Sequence, residues 1–252
     1  FPTIITQEIT YIVFTVIWIV LYCVLFSLGD YLSSLIGIEK IITLPIGIVL
    51  SFILMDFLGK NKLLSYYGFK KSDVSVKSML FYIPLIFLLG VNVWKGVTLN
   101  FTILETVFYI LSMFIVGLLE EVIFRGLLFN EMKKSGLLSA IIVSSVTFGI
   151  GHIINLFNGS NVDLINNLLQ VVYAIGAGFM FVMIYLKSDS LIVCIVTHGL
   201  FNALSAFDIP TNNIKINIIE SLVITLISVG YGIYLLISLK KKKNAFSMGF
   251  NK

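Results

Sequence analysis

The sequence predicts an all-α, polytopic membrane bundle of about eight transmembrane helices. Three observations carry that prediction. Hydrophobic residues make up 58% of the 252 positions, charged residues only 12%, and the mean hydropathy is +1.04, far more apolar surface than a soluble core of this size can hide. Runs such as 9–28 and 222–239 are apolar on every side, whereas a soluble amphipathic helix would show a polar face. The lysines, finally, fall in alternate connections.

Taken in order, the expected spans are 9–28, 41–58, 79–93, 106–129, 137–157, 168–186, 191–207 and 218–239, each near the roughly 20 residues that a bilayer requires, with the third and seventh short. Lys60, Lys62, Lys70, Lys71 and Lys77 follow the second span, Lys133 and Lys134 the fourth, Lys187 the sixth, and Lys240 to Lys243 the eighth. Only Lys40, Lys95 and Lys215 lie in the opposite connections, and 158–167 has no base. The positive-inside rule therefore orients the lysine-rich connections and both termini to the cytoplasm of a multi-pass cell-membrane protein.

The net charge of +4 then reflects topology and attraction to anionic lipid. No basic patch interleaved with aromatics indicates nucleic acid. Cys23 and Cys194 fall in separate spans and read as packing residues, with neither a disulfide framework nor a C-x-x-C metal site. The first apolar run has no basic residue before it and no small-residue cleavage pattern after it, so a removable signal peptide is not expected.

Three parts are expected within one integrated domain: scaffold helices over 1–104, a functional block over 105–208, and a closing helix with a basic tail over 209–252. In the scaffold part Asp30, Glu39 and Asp56 lie at span ends where water is available. The functional block holds every unusual polar residue. Glu121 and Arg125 are one turn apart and can pair, while Glu120 points roughly 100° away around the helix. A bare carboxylate in hydrocarbon costs about 2.5–3.5 kcal/mol on insertion scales, so Glu120 should face a wet cavity or polar partners. The alternative, a helix ending near Leu119 with interfacial charges, is opposed by the apolar run that resumes at Val122.

Phe148 and His152 share a face one turn apart, with Gly149 and Gly151 expected to let a neighbouring backbone approach. His198 and Asn202 repeat the spacing, so the amide can orient the imidazole or donate to an oxyanion. His152 alone would fit a hydrogen-bonded structural role; an ionisable group inside a membrane favours function. At 1.5 Å per residue Glu120 lies about 15 Å, His152 about 22 Å and His198 about 11 Å from the cytoplasmic ends of their spans, which predicts a water-activating site in the cytoplasmic half of the membrane.

The ordered trio E-E-x-x-x-R, F-x-x-x-H and H-x-x-x-N on successive helices resembles the CPBP family, also called Abi, of CAAX-protease and bacteriocin-processing membrane proteins. The resemblance includes Phe124 before Arg125 and covers about 105–208. It implies an intramembrane endopeptidase with a cavity open to the cytoplasm, acting on a peptide or membrane-anchored protein. In one version Glu120 and His152 activate water while His198 and Asn202 form the oxyanion hole, with no cofactor required. In the other, Glu120, His152 and His198 hold a divalent metal such as zinc. The absence of an H-E-x-x-H element leans toward the first, although ligands from three helices can bind zinc without a local signature. Glu121 and Arg125 form a supporting ion pair in either version.

Two other functions compete. A non-catalytic partner for bacteriocin self-immunity or envelope scaffolding would have no need to retain buried charges, and a proton or ion transporter lacks inverted repeats or broken-helix pairs. Richness in Ile, Lys and Asn points to an AT-rich bacterial genome, where peptide pheromones or bacteriocin leaders are better substrate candidates than prenylated proteins.

Overall fold

A computed structural model describes residues 4–160 and 162–249, with side chains described for 11–160 and 162–239. Among these the regular structure is entirely helical: α1 (Ile4–Ile36), α2 (Thr43–Lys60), α3 (Ile83–Gly90), α4 (Ile103–Glu120), α5 (Phe129–Lys133), α6 (Leu137–Gly151), α7 (Leu164–Ser188), α8 (Ile192–Leu204) and α9 (Ile214–Gly249). Seven helical stretches among the described residues are long and apolar enough to cross a membrane, and an eighth, Ile192–Phe207, is shorter. The short seventh span is as the sequence predicts. The side chains of Lys240 to Lys243 lie outside the described residues.

The third span runs Val76–Val93 and is broken near its start. Leu80, Phe81 and Tyr82 all take positive φ, between 51° and 57°, a conformation that costs non-glycine residues strain and persists only where the surroundings impose it. Met79, immediately before, is fully buried, and its carbonyl accepts from the Tyr231 hydroxyl of α9 at 2.7 Å. A tertiary contact therefore holds the break.

Helices α4, the π-helical segment Glu121–Leu128 and α5 form one continuous span, Ile103–Lys133. Its α-helical start is set by Thr102, whose hydroxyl accepts from the Glu105 amide while the Glu105 carboxylate accepts from the Thr102 amide, a reciprocal cap that satisfies two otherwise orphaned donors. Every residue from 119 to 131 is buried, so this half of the span is enclosed while α2 and α9 present Phe52 and Leu226, each 70% exposed, to the surroundings. That inversion, apolar outside and charge inside, is what lipid as solvent permits.

Close helix approaches tighten the enclosure. A Cβ on Gly117 of α4 would sit 2.7 Å from the Gly199 amide nitrogen of α8, and one on Gly149 of α6 would sit 2.7 Å from the Ile175 nitrogen of α7. Small residues let these backbones meet. Gly149 thus behaves as expected, but Gly151 does not: a Cβ there would meet nothing within 4 Å, because the helix has already reached its end and faces open space.

Candidate active site

The motif residues converge at the middle of the enclosed span. From Glu121 to Leu128 the helix widens to π geometry, a form that is rare and concentrated at functional sites. Widening frees main-chain carbonyls, and side chains take them up: Ser144 donates to the Phe124 carbonyl at 2.9 Å and Asn130 to the Gly126 carbonyl at 2.7 Å.

Glu121 and Arg125 pair as expected, with Arg125 Nη1 donating to Glu121 Oε1 at 2.9 Å and both side chains wholly buried. The same carboxylate oxygen lies 2.9 Å from His198 Nδ1. An ionised carboxylate only accepts, so Nδ1 donates and Nε2 is turned toward Glu120, with His198 Nε2 and Glu120 Oε2 3.4 Å apart. The imidazole is therefore oriented by Glu121. Asn202 does not orient it: its side chain lines the cavity, free of that task.

Aromatic rings complete the packing. The Arg125 guanidinium lies 4.1 Å from the Phe148 ring centroid and 5.3 Å from that of Phe181, so rings cover its Nε and Nη2, which have no hydrogen-bond partner among the described residues. Phe181 also stacks on His198 at 5.5 Å, and Phe148 meets His152, His198 and Phe124 edge-on at 5.3, 5.6 and 5.4 Å. One phenylalanine thus spaces both imidazoles and the guanidinium.

Glu120 is not left free. The Tyr22 hydroxyl of α1 donates to its Oε1 at 2.6 Å, across 98 positions of sequence, while Oε2 has no hydrogen-bond partner. Tyr22 and Phe181 are the two site residues that the sequence reading misses. A lone tyrosine inside an apolar run is a signal, since a buried phenol seeks a partner, but nothing local says which partner. Phe181 carries no signal in a span rich in aromatics.

Above these residues lies a cavity of about 440 Å³ that Glu120, Phe124, Phe148, His152 and Asn202 line at depth and Asp30, Ser34, Lys40, Asn158 and Ser160 line at its opening. Asn167 fixes the backbone beside it by donating to the His152 carbonyl at 2.9 Å. The opening is held by Lys40, 2.8 Å from Asp30 Oδ1, and by Thr43, which donates to the same oxygen at 2.5 Å. The cavity opens among the connections that hold Lys40 and 158–160, at the end of the bundle opposite Lys60, Lys62, Lys133 and Lys134, and so away from the lysine-rich end. Helical rise gives the depth of Glu120, about 20 Å from Lys133, but says nothing of which end is sealed.

The residues suggested as metal ligands converge without forming a metal cage. Among the described residues no group of three His, Cys, Asp or Glu side chains is placed to hold a metal ion. His198 is engaged by Glu121 on one nitrogen and faces Glu120 with the other, Tyr22 holds one oxygen of Glu120, and no hydrogen bond joins His152 to Glu120. This donor set does not fit a three-ligand cage.

Residues 102–204 match the family described as Rce1-like, type II CAAX prenyl endopeptidase. The match runs from the Thr102 cap to the last residue of α8, takes in all three motifs, and supports the CPBP assignment made from them. No curated protein and no solved structure matches the chain.

Proposed function

We propose that the protein is an intramembrane endopeptidase of the CAAX type in which Glu120 is the general base for a water nucleophile, acting on a peptide or membrane-anchored protein. The observation that carries this reading is the contrast between two adjacent buried carboxylates. Each leaves one buried oxygen without a hydrogen bond, but Glu121 is held by Arg125 and His198 and is not part of the cavity lining, whereas Glu120, held by Tyr22, lines the polar cavity. Leaving a buried acceptor unmade costs roughly 1–3 kcal/mol, and a substrate water is the partner that would relieve it.

In the hydrolysis Glu120 takes a proton from water as the oxygen attacks the scissile carbonyl carbon. The Asn202 amide donates to the oxyanion that forms, together with an imidazole N–H. The C–N bond then breaks as Glu120 returns that proton to the leaving amine, with His152 lining the same cavity beside it. Two carboxylates against one guanidinium leave a single negative charge, which one proton shared among Glu120, His152 and His198 balances, and a buried cluster favours such neutrality. Tyr22 and Phe181 hold Glu120 and His198 in place.

The test is cleavage of a peptide pool by protein purified into lipid discs. Glu120→Gln, which keeps the shape of the side chain and removes its basicity, should slow cleavage by about 10²–10⁴-fold at unchanged thermal stability. Full activity in that variant would end the reading.

A further inference from the structure

The cavity and the lysines lie at opposite ends of the bundle, and together they orient the active site. We infer that the cavity opens on the extracytoplasmic face, so that the substrate is a peptide segment that has already crossed the membrane: an exported peptide, or the outer portion of a membrane-anchored protein. The orientation stands on geometry and charge alone, whereas the word substrate rests on the protease reading above.

The charge asymmetry is stronger than a count of lysines conveys. At one end are Lys60, Lys62, Lys70, Lys71, Lys77, Lys133, Lys134 and Lys187, against Asp56, Asp73, Glu131 and Asp189. At the other are Lys40, Lys95 and Lys215, against Asp30, Glu39, Glu105, Asp163, Asp208 and Glu220. Two of those three lysines are also neutralised in place. Lys40 lies 2.8 Å from Asp30 and 3.5 Å from Glu39, and Lys95 lies 3.1 Å from Asp208 and 2.8 Å from Glu220. Loop lysines are retained on the cytoplasmic side, and the anionic inner leaflet attracts them further. The lysine-poor end is therefore the outer one.

That outer end is where the cavity opens. Its lining runs from Ser34, Glu39, Lys40 and Ser160 down to Glu120 without crossing the bundle. The lysine-rich end carries a separate cavity of about 360 Å³ lined by Tyr66, Lys70, Phe129 and Lys133, and between it and Glu120 stand Ile123, Leu127, Met183 and Ile184, each 2% exposed or less. A soluble cytoplasmic tail has no route to Glu120 in this arrangement. The reaction that supplies the substrate must accordingly be a polypeptide translocation or membrane insertion.

Cysteine accessibility tests the orientation without reference to catalysis. In a chain carrying Cys23→Ser and Cys194→Ala, single Ser34→Cys and Lys62→Cys variants are treated in intact cells with a membrane-impermeant maleimide. Ser34 lies exposed at the cavity opening and Lys62 exposed at the lysine-rich end. Ser34→Cys should label in intact cells, and Lys62→Cys only after permeabilisation. Labelling of Lys62→Cys in intact cells overturns the inference, alone or together with Ser34→Cys, and that result decides even where maleimide fails to reach Ser34→Cys. The pattern should be the same with Glu120→Gln added, so a failure of the protease reading would leave the orientation standing. For the substrate, peptide termini lost from Glu120→Gln cells should map to exported or outer segments; termini confined to cytoplasmic segments would overturn that part.

Discussion

The floor and the mouth of the cavity are both polar, yet they are built in opposite ways. At the floor, Glu121, Arg125 and His198 are almost fully buried and linked to one another at 2.9 Å, with phenylalanine rings closing every gap. At the mouth, Lys40 and Asp30, with side chains 12% and 19% exposed, pair near helix ends beside Asn155 and Asn158, and Asn158 reaches Asp30 only at 3.4 Å. Low dielectric makes each floor contact costly to lose, whereas partial solvent access weakens those at the mouth. Charge is therefore tightly interlocked at depth and more loosely held near the surface.

That contrast ranks the effects of substitution. Arg125→Ala would leave Glu121 buried without its counter-ion, and breaking such a pair costs about 3–5 kcal/mol; we expect little folded protein by size-exclusion chromatography in detergent. A stable, monodisperse Arg125→Ala protein would show that the floor is looser than it looks. Asn202→Ala removes a donor that makes no packing contact with the ion pair, so cleavage should fall by about 10²–10³-fold with thermal stability unchanged. Equal loss of stability and activity would instead make Asn202 structural.

Tyr22→Phe keeps the ring and deletes one hydrogen bond, worth about 1.5–3 kcal/mol when it goes to a charged group. We expect cleavage to slow by roughly tenfold, and a shift in the acid limb of the pH–rate profile that a purely structural tyrosine would not produce. Lys40→Ala at the mouth removes a partly buried partner of Asp30 and should lower the thermal midpoint by less than Arg125→Ala does, with cleavage within about twofold of wild type. A large loss of cleavage there would move part of the chemistry toward the mouth and blur the contrast.

Most of the floor was legible in the sequence, for a physical reason. Glu120, Glu121, Arg125, His152, His198 and Asn202 are polar residues within apolar runs, which singles them out, and their one-turn spacings survive translation into helices. The helices themselves were equally legible, because apolar runs of membrane length announce themselves. What stayed hidden depends on partners distant in sequence. The hydroxyl of Tyr22 meets Glu120 across 98 positions, so a helix that reads as scaffold holds the candidate base. The break at Leu80 to Tyr82 answers to Tyr231 on α9, and the π-helical widening at Glu121–Leu128 leaves no local mark in composition. Span depth says nothing of which end the cavity opens toward, because it measures distance along one helix, whereas an opening depends on how several helix ends splay.

The central claim is that Glu120 performs the chemistry. The most direct test compares peptide termini, by mass spectrometry of membrane and secreted fractions, between cells making the wild-type protein and cells making Glu120→Gln at equal abundance. The account predicts that a specific set of termini disappears in the variant, identifying both the activity and its substrate. Identical profiles, in a background where deletion has a phenotype that Glu120→Gln still rescues, would contradict it and assign the protein a non-catalytic role in the membrane.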